Sequence, residues 1–397
     1  MRTHILFILI LVNLSCKREI KPKIKKDEKN STTYLFEDNL TLNVDTLRFK
    51  INDKLLKLDQ TFSSFKIVPL ETNRESLLGS PKKMIFKNEL VYIHDSTKGN
   101  NSILVFDLSG KHISSLNKIG KGPGEYMGIS NFSVDEEGNI YVLDSSSGQK
   151  ILKYTKEGEH INDIFLEVLI YDFEIFNEKI YGYNAGTAFN GQNKKRNSIF
   201  VFKKTGEIIK SFFPALNEKV LTTNENTFIK KGEYIYVNMP NVATLYAINK
   251  SNDIVRKTYL ECIEKDSEGN LTNIFEIDSY KTLYFNNKSI IPYFTYINEF
   301  YIGNLLKSKN NISKIYSFEP VYDKGLIRGS LASTGKKMLI RDSIFVTISE
   351  PYILRFNLLK NQDFLNKSPD DLVEKIRNLK DSDNPVLLLS TFKISNN

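Results

Sequence analysis

The chain has 397 residues, a formal net charge of +8, two cysteines, four histidines and no tryptophan. Such a length excludes a core that depends on disulfides or metals, and the cysteine count excludes a disulfide scaffold or a cysteine-rich zinc module. Residues 1–30 carry +5 of the charge and the rest of the chain only +3. A nearly neutral body argues against a nucleic-acid-binding face, so no nucleic-acid partner is expected.

After Met1-Arg-Thr-His, the apolar run Ile5–Val12 leads into Asn13-Leu-Ser-Cys16-Lys-Arg. Eight apolar residues make a helix of about 12 Å, well short of a ~30 Å hydrocarbon core, which predicts a signal peptide over residues 1–15 rather than a membrane span. A cysteine directly behind the run, preceded by Ser15, resembles the lipobox of bacterial lipoproteins, although Asn13 stands where an apolar residue is usual. The resemblance implies a lipid on Cys16 and a protein anchored in the cell envelope, at the outer membrane, with the bilayer as its partner through that lipid. Residues 16–39 are rich in Lys, Asn, Asp, Ser and Thr without apolar periodicity and read as a flexible linker. Residues 40–64 read as a lead-in.

From Phe65 onward one pattern recurs: four short strands separated by tight turns. Its clearest copies are Leu104-Val-Phe-Asp-Leu-Ser-Gly110, Leu152-Lys-Tyr-Thr-Lys-Glu-Gly158 and Phe200-Val-Phe-Lys-Lys-Thr-Gly206, whose glycines lie 48 residues apart. The preceding hairpins keep step, with Glu89-Leu-Val-Tyr-Ile-His-Asp95 matched by Asn139-Ile-Tyr-Val-Leu-Asp144 and Glu178-Lys-Ile-Tyr-Gly-Tyr-Asn184. Period-two alternation means half-buried strands, and glycine supplies the positive φ of the turns. A further copy runs through Glu233–Asn252, and two weaker ones through Tyr293–Phe318 and Met338–Phe356, with Tyr352–Phe356 read as a strand. Cys262 to about Ser289 departs from the register and reads as an insertion.

Four-stranded units at this spacing predict an all-β fold, a β-propeller over residues 65–365 that six blades fit best, with five or seven as the alternatives. A ring with free ends leaves unpaired edges, so Phe65–Leu70 is expected to complete the last blade. Residues 366–397 add a short helix over Ser368–Lys380, signalled by a serine cap, Pro369 and early acids, and an extended docking tail over Asn384–Lys393.

The stretch Ile119-Gly-Lys-Gly-Pro-Gly-Glu-Tyr126 followed by Asn131–Asp144, with Pro69-Leu-Glu-Thr72, Ser76-Leu-Leu-Gly79 and Asn384–Leu388, resembles the six-bladed propeller lipoproteins of Bacteroidota related to NHL-repeat propellers. The resemblance implies a secreted, lipid-anchored propeller and carries over no catalytic residue.

Gly120, Gly122 and Gly124 do not make a phosphate-cradling loop, because Glu125 occupies the position of the third fingerprint glycine and Pro123 has no N–H to donate. Glu125 and Tyr126 are candidates to meet a ligand at the channel mouth; otherwise the tyrosine packs and the carboxylate takes backbone donors. Asp95 and Asp144 end equivalent strands and are candidates for a ring of carboxylates, against the ordinary role of strand-end aspartates as turn acceptors. Asp135-Glu-Glu-Gly-Asn139 lacks calcium-loop spacing, and His112 and His160 are explained by repeat position, so neither a metal site nor a cofactor is expected. Cys262 reads as a buried thiol. No catalytic constellation is recognisable. The expected function is a binding or interaction module whose partner is an envelope protein, peptide or glycan. Two other readings stand beside it: a hydrolase or lyase at the channel mouth, and a structural subunit of an envelope complex.

Overall fold

A computed structural model describes residues 24–26, 32–35, 41–51, 56–57, 62–97, 99–146, 148–184, 197–214, 227–239, 242–261, 263–265, 271–273, 282–285, 290–296, 299–306, 314–322, 338–341, 344–359 and 370–392. Cys16, the expected signal segment at residues 1–15 and Cys262 lie outside them.

The lead-in contributes β1 (Ile24–Lys26), β2 (Thr32–Leu35), β3 (Thr41–Ile51), β4 (Leu56–Lys57) and β5 (Phe62–Pro69). Three four-stranded antiparallel sheets follow. The first holds β6 (Pro81–Lys87), β7 (Leu90–Thr97), β8 (Asn100–Asp107) and β9 (His112–Leu116). The second holds β10 (Ile129–Val134), β11 (Ile140–Asp144), β12 (Lys150–Tyr154) and β13 (His160–Phe165). The third holds β14 (Asp172–Phe176), β15 (Lys179–Tyr183), β16 (Asn197–Lys203) and β17 (Ile208–Pro214). Next come β18 (Phe228–Lys231), β19 (Tyr234–Asn238), β20 (Thr244–Asn249) and β21 (Ile254–Glu261), then the separate pair β22 (Ile263–Lys265) and β23 (Leu271–Asn273). The strands β24 (Thr282–Phe285), β25 (Ile290–Tyr296), β26 (Glu299–Leu306) and β27 (Lys314–Tyr322) precede β28 (Met338–Arg341) and β29 (Ile344–Ser349). Helices α1 (Pro351–Leu359) and α2 (Asp370–Asn378) and strand β30 (Val386–Phe392) complete the chain.

The fold is an all-β propeller, with five blades where the spacing fits six best. The difference lies in β3. It pairs in parallel with β21 on one side and β27 on the other, so two of the predicted units share one twelve-stranded sheet. Repeat spacing counts strand groups, but it is silent on a segment from outside the repeats that joins two of them. Within the stretch read as a linker, β1 and β2 pair with each other and β2 with β3. Pairing of this kind needs backbone groups, not apolar periodicity. The expected insertion is partly regular: it holds the pair β22–β23, and its end, β24, opens the next group.

The last blade is ordered β28-β29-β30-β5, so the N-terminal strand does close the ring. Its third strand comes from the tail rather than from Tyr352–Phe356, which is helical. The blade therefore extends past residue 365 to Phe392. Tyr-Ile-Leu-Arg-Phe satisfies a helical stripe as well as an alternating one. Pro351 at the first position favours the helix, and Leu354 is buried with Ile67, Leu372, Ile376, Val386 and Leu388. Asn384 fastens this closure: its Nδ2 donates to Glu71 O (2.6 Å) and Ser76 O (2.7 Å), while its Oδ1 accepts from Leu78 N at 2.9 Å.

Alternation turns each second strand into a two-sided contact. Val91 and Ile93 of β7 pack on the closing blade, among Val68, Val346, Ile348 and Leu387. Tyr92 between them packs on the second sheet, with Phe132, Val134 and Ile140. Tyr141 and Tyr181 repeat this toward the third and fourth groups, and all three rings are fully buried. The repeated tyrosine of the hairpins is thus the wedge between neighbouring blades.

Candidate functional site at the connector end and channel

First strands touch first strands around the ring, β28 with β6, β6 with β10, β10 with β14 and β14 with β18, so they are innermost and line the axis. The end where second strands finish and first strands begin carries the connectors between blades. The other end carries the tight hairpins.

Asp95 and Asp144 both stand at the connector end, as their equivalent positions predict, and both are buried. Each is committed to backbone. Asp95 accepts from Ser80 N (2.7 Å), Gly79 N (3.1 Å), Thr97 N (3.1 Å) and the Thr97 hydroxyl (2.7 Å). Asp144 accepts from Met127 N (3.2 Å) and Ser146 N (3.1 Å). Asn184 occupies the same place in the third blade and donates to Leu169 O. These residues pin each inter-blade connector to the end of the second strand, which is the turn-acceptor role.

The Gly-Pro-Gly-Glu-Tyr loop is built the same way. Glu125 is half-buried, and its Oε2 accepts from Gly122 N at 2.8 Å. Tyr126 is fully buried, its hydroxyl donates to Asn101 O at 2.9 Å, and burial pushes its phenol up to about 12. Gly124 has φ +72° and lies under the His160 ring, where a Cβ would come within 2.7 Å of Cγ. The His160 ring in turn bonds Asp163 at 2.8 Å. The packed tyrosine and the carboxylate that takes a backbone donor are the local contacts expected for Tyr126 and Glu125.

The channel wall holds a polar network that spans four groups of strands. Lys83 Nζ on β6 donates to Asn131 Oδ1 (2.7 Å) and Phe132 O (2.8 Å). Asn131 Nδ2 on β10 donates to Asp172 Oδ1 at 2.6 Å, and Thr227 N, just before β18, donates to Asp172 Oδ2 at 3.0 Å. A second tier lies beside it: the Ser133 hydroxyl donates to Glu174, which pairs with Lys230 Nζ at 2.9 Å. Burial pushes Asp172 up, and the Glu174 charge adds to this against the pull of Lys83 and the Thr227 donors. For Glu174 burial is outweighed by Lys230 and Lys83, and the carboxyl is held below its ordinary range.

Sequence reasoning missed this network. The available signal was the polar, apolar, polar pattern Asn131-Phe-Ser133 and Asp172-Phe-Glu174, with a separation of 41 residues for both cross-blade bonds. Among the described residues no group of three or more His, Cys, Asp or Glu is placed to hold a metal ion. Nor is any helix there long and apolar enough to cross a membrane.

Several exposed apolar side chains stand on the connectors, Leu77, Ile119 and Met127, and Tyr352 and Phe356 lie on α1, between the second and third strands of the closing blade; others, Ile113, Ile161 and Ile209, stand at the starts of outer strands beside the tight hairpins.

The family model described as a domain of unknown function, DUF4934, matches residues 41–391. The chain belongs to the DUF4934 family. That match begins with β3, so the strand that joins two groups of the ring lies inside the DUF4934 domain. A proposed exported protein of Bacteroides fragilis is similar in structure, with TM-score 0.66 and 18 % identity over 88 % of this chain and all (100 %) of its own. A DUF4221 member from Bacteroides vulgatus has TM-score 0.51 and 13 % identity over 85 % of this chain and 98 % of its own. Both likenesses are of fold. No curated protein matches the sequence.

Proposed function

We propose that this DUF4934 protein is an exported binding module, held in the cell envelope at the outer membrane by a lipid on Cys16, and that its connector end docks an envelope protein. The observation that carries the reading is the placement of Leu77, Ile119 and Met127 in solvent on successive connectors between blades. Large apolar side chains exposed on successive connectors favour a protein partner over a glycan, which would call for a groove of aromatic rings with free polar groups. Asp95, Asp144 and Glu125 accept from backbone N–H groups, which favours a part for them in shaping the connectors. Export is supported by the short apolar run at residues 5–12 and by the description of the Bacteroides fragilis relative as exported.

The test is cross-linking in cells followed by mass spectrometry, with wild type beside Leu77→Asp/Met127→Asp. One envelope protein recovered with wild type and lost with the double variant is the expected result. Equal recovery from both refutes the connector end as the docking face.

A hydrolase or lyase at the channel mouth is the second reading. It draws on Asp172 and Glu174, two carboxyls on one inner strand whose surroundings push them in opposite directions. Their full engagement with Asn131, Thr227, Ser133 and Lys230 favours a role in joining blades.

A further inference from the structure

The route by which the chain enters the ring decides which end faces the bilayer. Strand β21 starts directly after the tight turn Asn249–Asn252, at the hairpin end, and runs toward the connector end. Strand β3 lies parallel to it, with Asn43 beside Arg256 and Arg48 beside Glu261, so β3 also starts at the hairpin end. Leu42 and Val44 are buried, which packs that start onto the body. Before it the strands only double back. Strand β2 pairs with Thr41–Val44 alone and β1 with β2, which sets Ile24 beside Tyr34 and Tyr34 beside Leu42. Both N-terminal strands therefore stand at the hairpin end.

Ile24 is eight residues beyond Cys16, a reach of about 28 Å at full extension. Of the seven residues between them four are Lys or Arg and one is Glu, a charge that draws the segment to anionic head groups. A strand of six residues such as β13 sets the two ends of the ring about 20 Å apart. A lipid on Cys16 thus brings the hairpin end to the bilayer with slack, whereas the connector end faces it only with the tether drawn almost straight along a blade.

The surface this presents is suited to a head-group boundary. In four consecutive groups the outer strand is bulged at one place. Phe106 pairs with His112 and Val105 with Ser114, which leaves Ile113 out of register, and Ile161, Ile209 and Val255 are left out in the same way. A bulge bends the strand and re-aims its extra side chain, and Ile113, Ile161 and Ile209 are all exposed. One aliphatic side chain per blade, beside turns bearing ion pairs such as Lys87–Glu136 and Lys204–Glu178, fits contact at the interface without insertion.

We infer that the hairpin end of the ring faces the bilayer, bringing Ile113, Ile161 and Ile209 to its surface, and that the connector end faces away. The inference rests on the reading of Cys16 as lipid-bearing and deepens it: the envelope partner meets the connectors from the aqueous side.

The experiment uses the full lipidated chain with Cys262→Ser, extracted from membranes and reconstituted into phosphatidylethanolamine–phosphatidylglycerol vesicles that carry a rhodamine-labelled lipid. A single thiol from Ile113→Cys or Ile161→Cys at the hairpin end, or from Leu77→Cys or Met127→Cys at the connector end, takes the donor dye, the Cys16 sulfur being blocked by its lipid. All four are exposed positions, and circular dichroism melts verify that each variant folds. Expected is at least about twofold more energy transfer to the bilayer from positions 113 and 161 than from 77 and 127, as ends ~20 Å apart require. Equal transfer from both ends, or more from 77 and 127, overturns the inference and leaves the lipid anchor standing. Vesicles that fail to retain the chain remove the anchor and this inference together. Partner cross-linking with Leu77→Asp/Met127→Asp reports on the docking reading separately in every case.

Discussion

Replacing the period-marking glycines by alanine should cost two different amounts, although Gly110, Gly158 and Gly206 hold the same place in three consecutive blades with nearly the same backbone, φ +90°, +89° and +92°. Strain from a Cβ in this left-handed region is common to all and amounts to about 1–2 kcal/mol. What differs is the neighbour. A Cβ on Gly206 would lie 1.9 Å from Phe165 O, and one on Gly110 2.1 Å from Pro69 O. On Gly158 the nearest atom is Leu116 Cδ1 at 3.7 Å, an ordinary contact. Overlap with a carbonyl in a packed sheet cannot be relieved by a rotamer change, which adds about 1–3 kcal/mol. Gly158→Ala should therefore cost about 1–2 kcal/mol, and Gly206→Ala and Gly110→Ala about 2–5 kcal/mol. Gly232→Ala is the internal standard, with φ +57° and no atom within 4 Å. Urea titrations followed by far-ultraviolet circular dichroism measure the series. Equal midpoints for Gly158→Ala and Gly206→Ala would refute the argument that the glycines are required by the approach of the preceding blade's outer strand.

Lys230→Met leaves Glu174 buried without its partner and should destabilise by about 3 kcal/mol, read from the same titration. Glu174→Gln tests the sign of the linkage. Because the folded-state carboxyl is held below its ordinary 4.5, wild type gains stability above that value and loses it as pH falls through the depressed one. The variant should be less stable than wild type at neutral pH and converge with it in acid; a constant gap would contradict the assignment. Asp95→Ala strands the amides of Gly79, Ser80 and Thr97 and should cost about 2–3 kcal/mol, visible as faster hydrogen exchange in the connector before β6. Asn384→Ala releases the head-to-tail latch, so limited proteolysis should cut near β30 first, and an unchanged cleavage pattern would place the closure elsewhere. Cys16→Ser should move the protein out of the membrane fraction; retention there would defeat the proposed lipid anchor.

The blade pattern was legible because alternation and the 48-residue glycine spacing are local consequences of short half-buried strands. Closure by β5 was legible too, since an open ring leaves edges unpaired. Asp95 and Asp144 could be placed in equivalent positions, while the choice between ligand and backbone depended on where the Gly79–Ser80 and Met127 amides lie in space. Glu71 and Glu167 show the limit most plainly. Ninety-six residues apart in sequence, they accept from His112 N (2.9 Å) and Ile208 N (3.0 Å), equivalent amides in the blades that follow. Nothing in either local sequence marks them.

By itself, then, the sequence determined the recurrent local pieces of the ring, the alternating strands and their tight turns, and the short helix near the C-terminal end. Tertiary structure decided everything that turns on which strand edge a segment meets. It decided that β3 would fuse two groups into a single sheet, that Tyr352–Phe356 would coil because β30 fills the third-strand position, and that Lys83, Asn131 and Asp172 would meet around the axis. Alternation fixes which face of a strand is apolar, whereas the partner of a free edge is set by distances between residues hundreds of positions apart, which no local periodicity encodes.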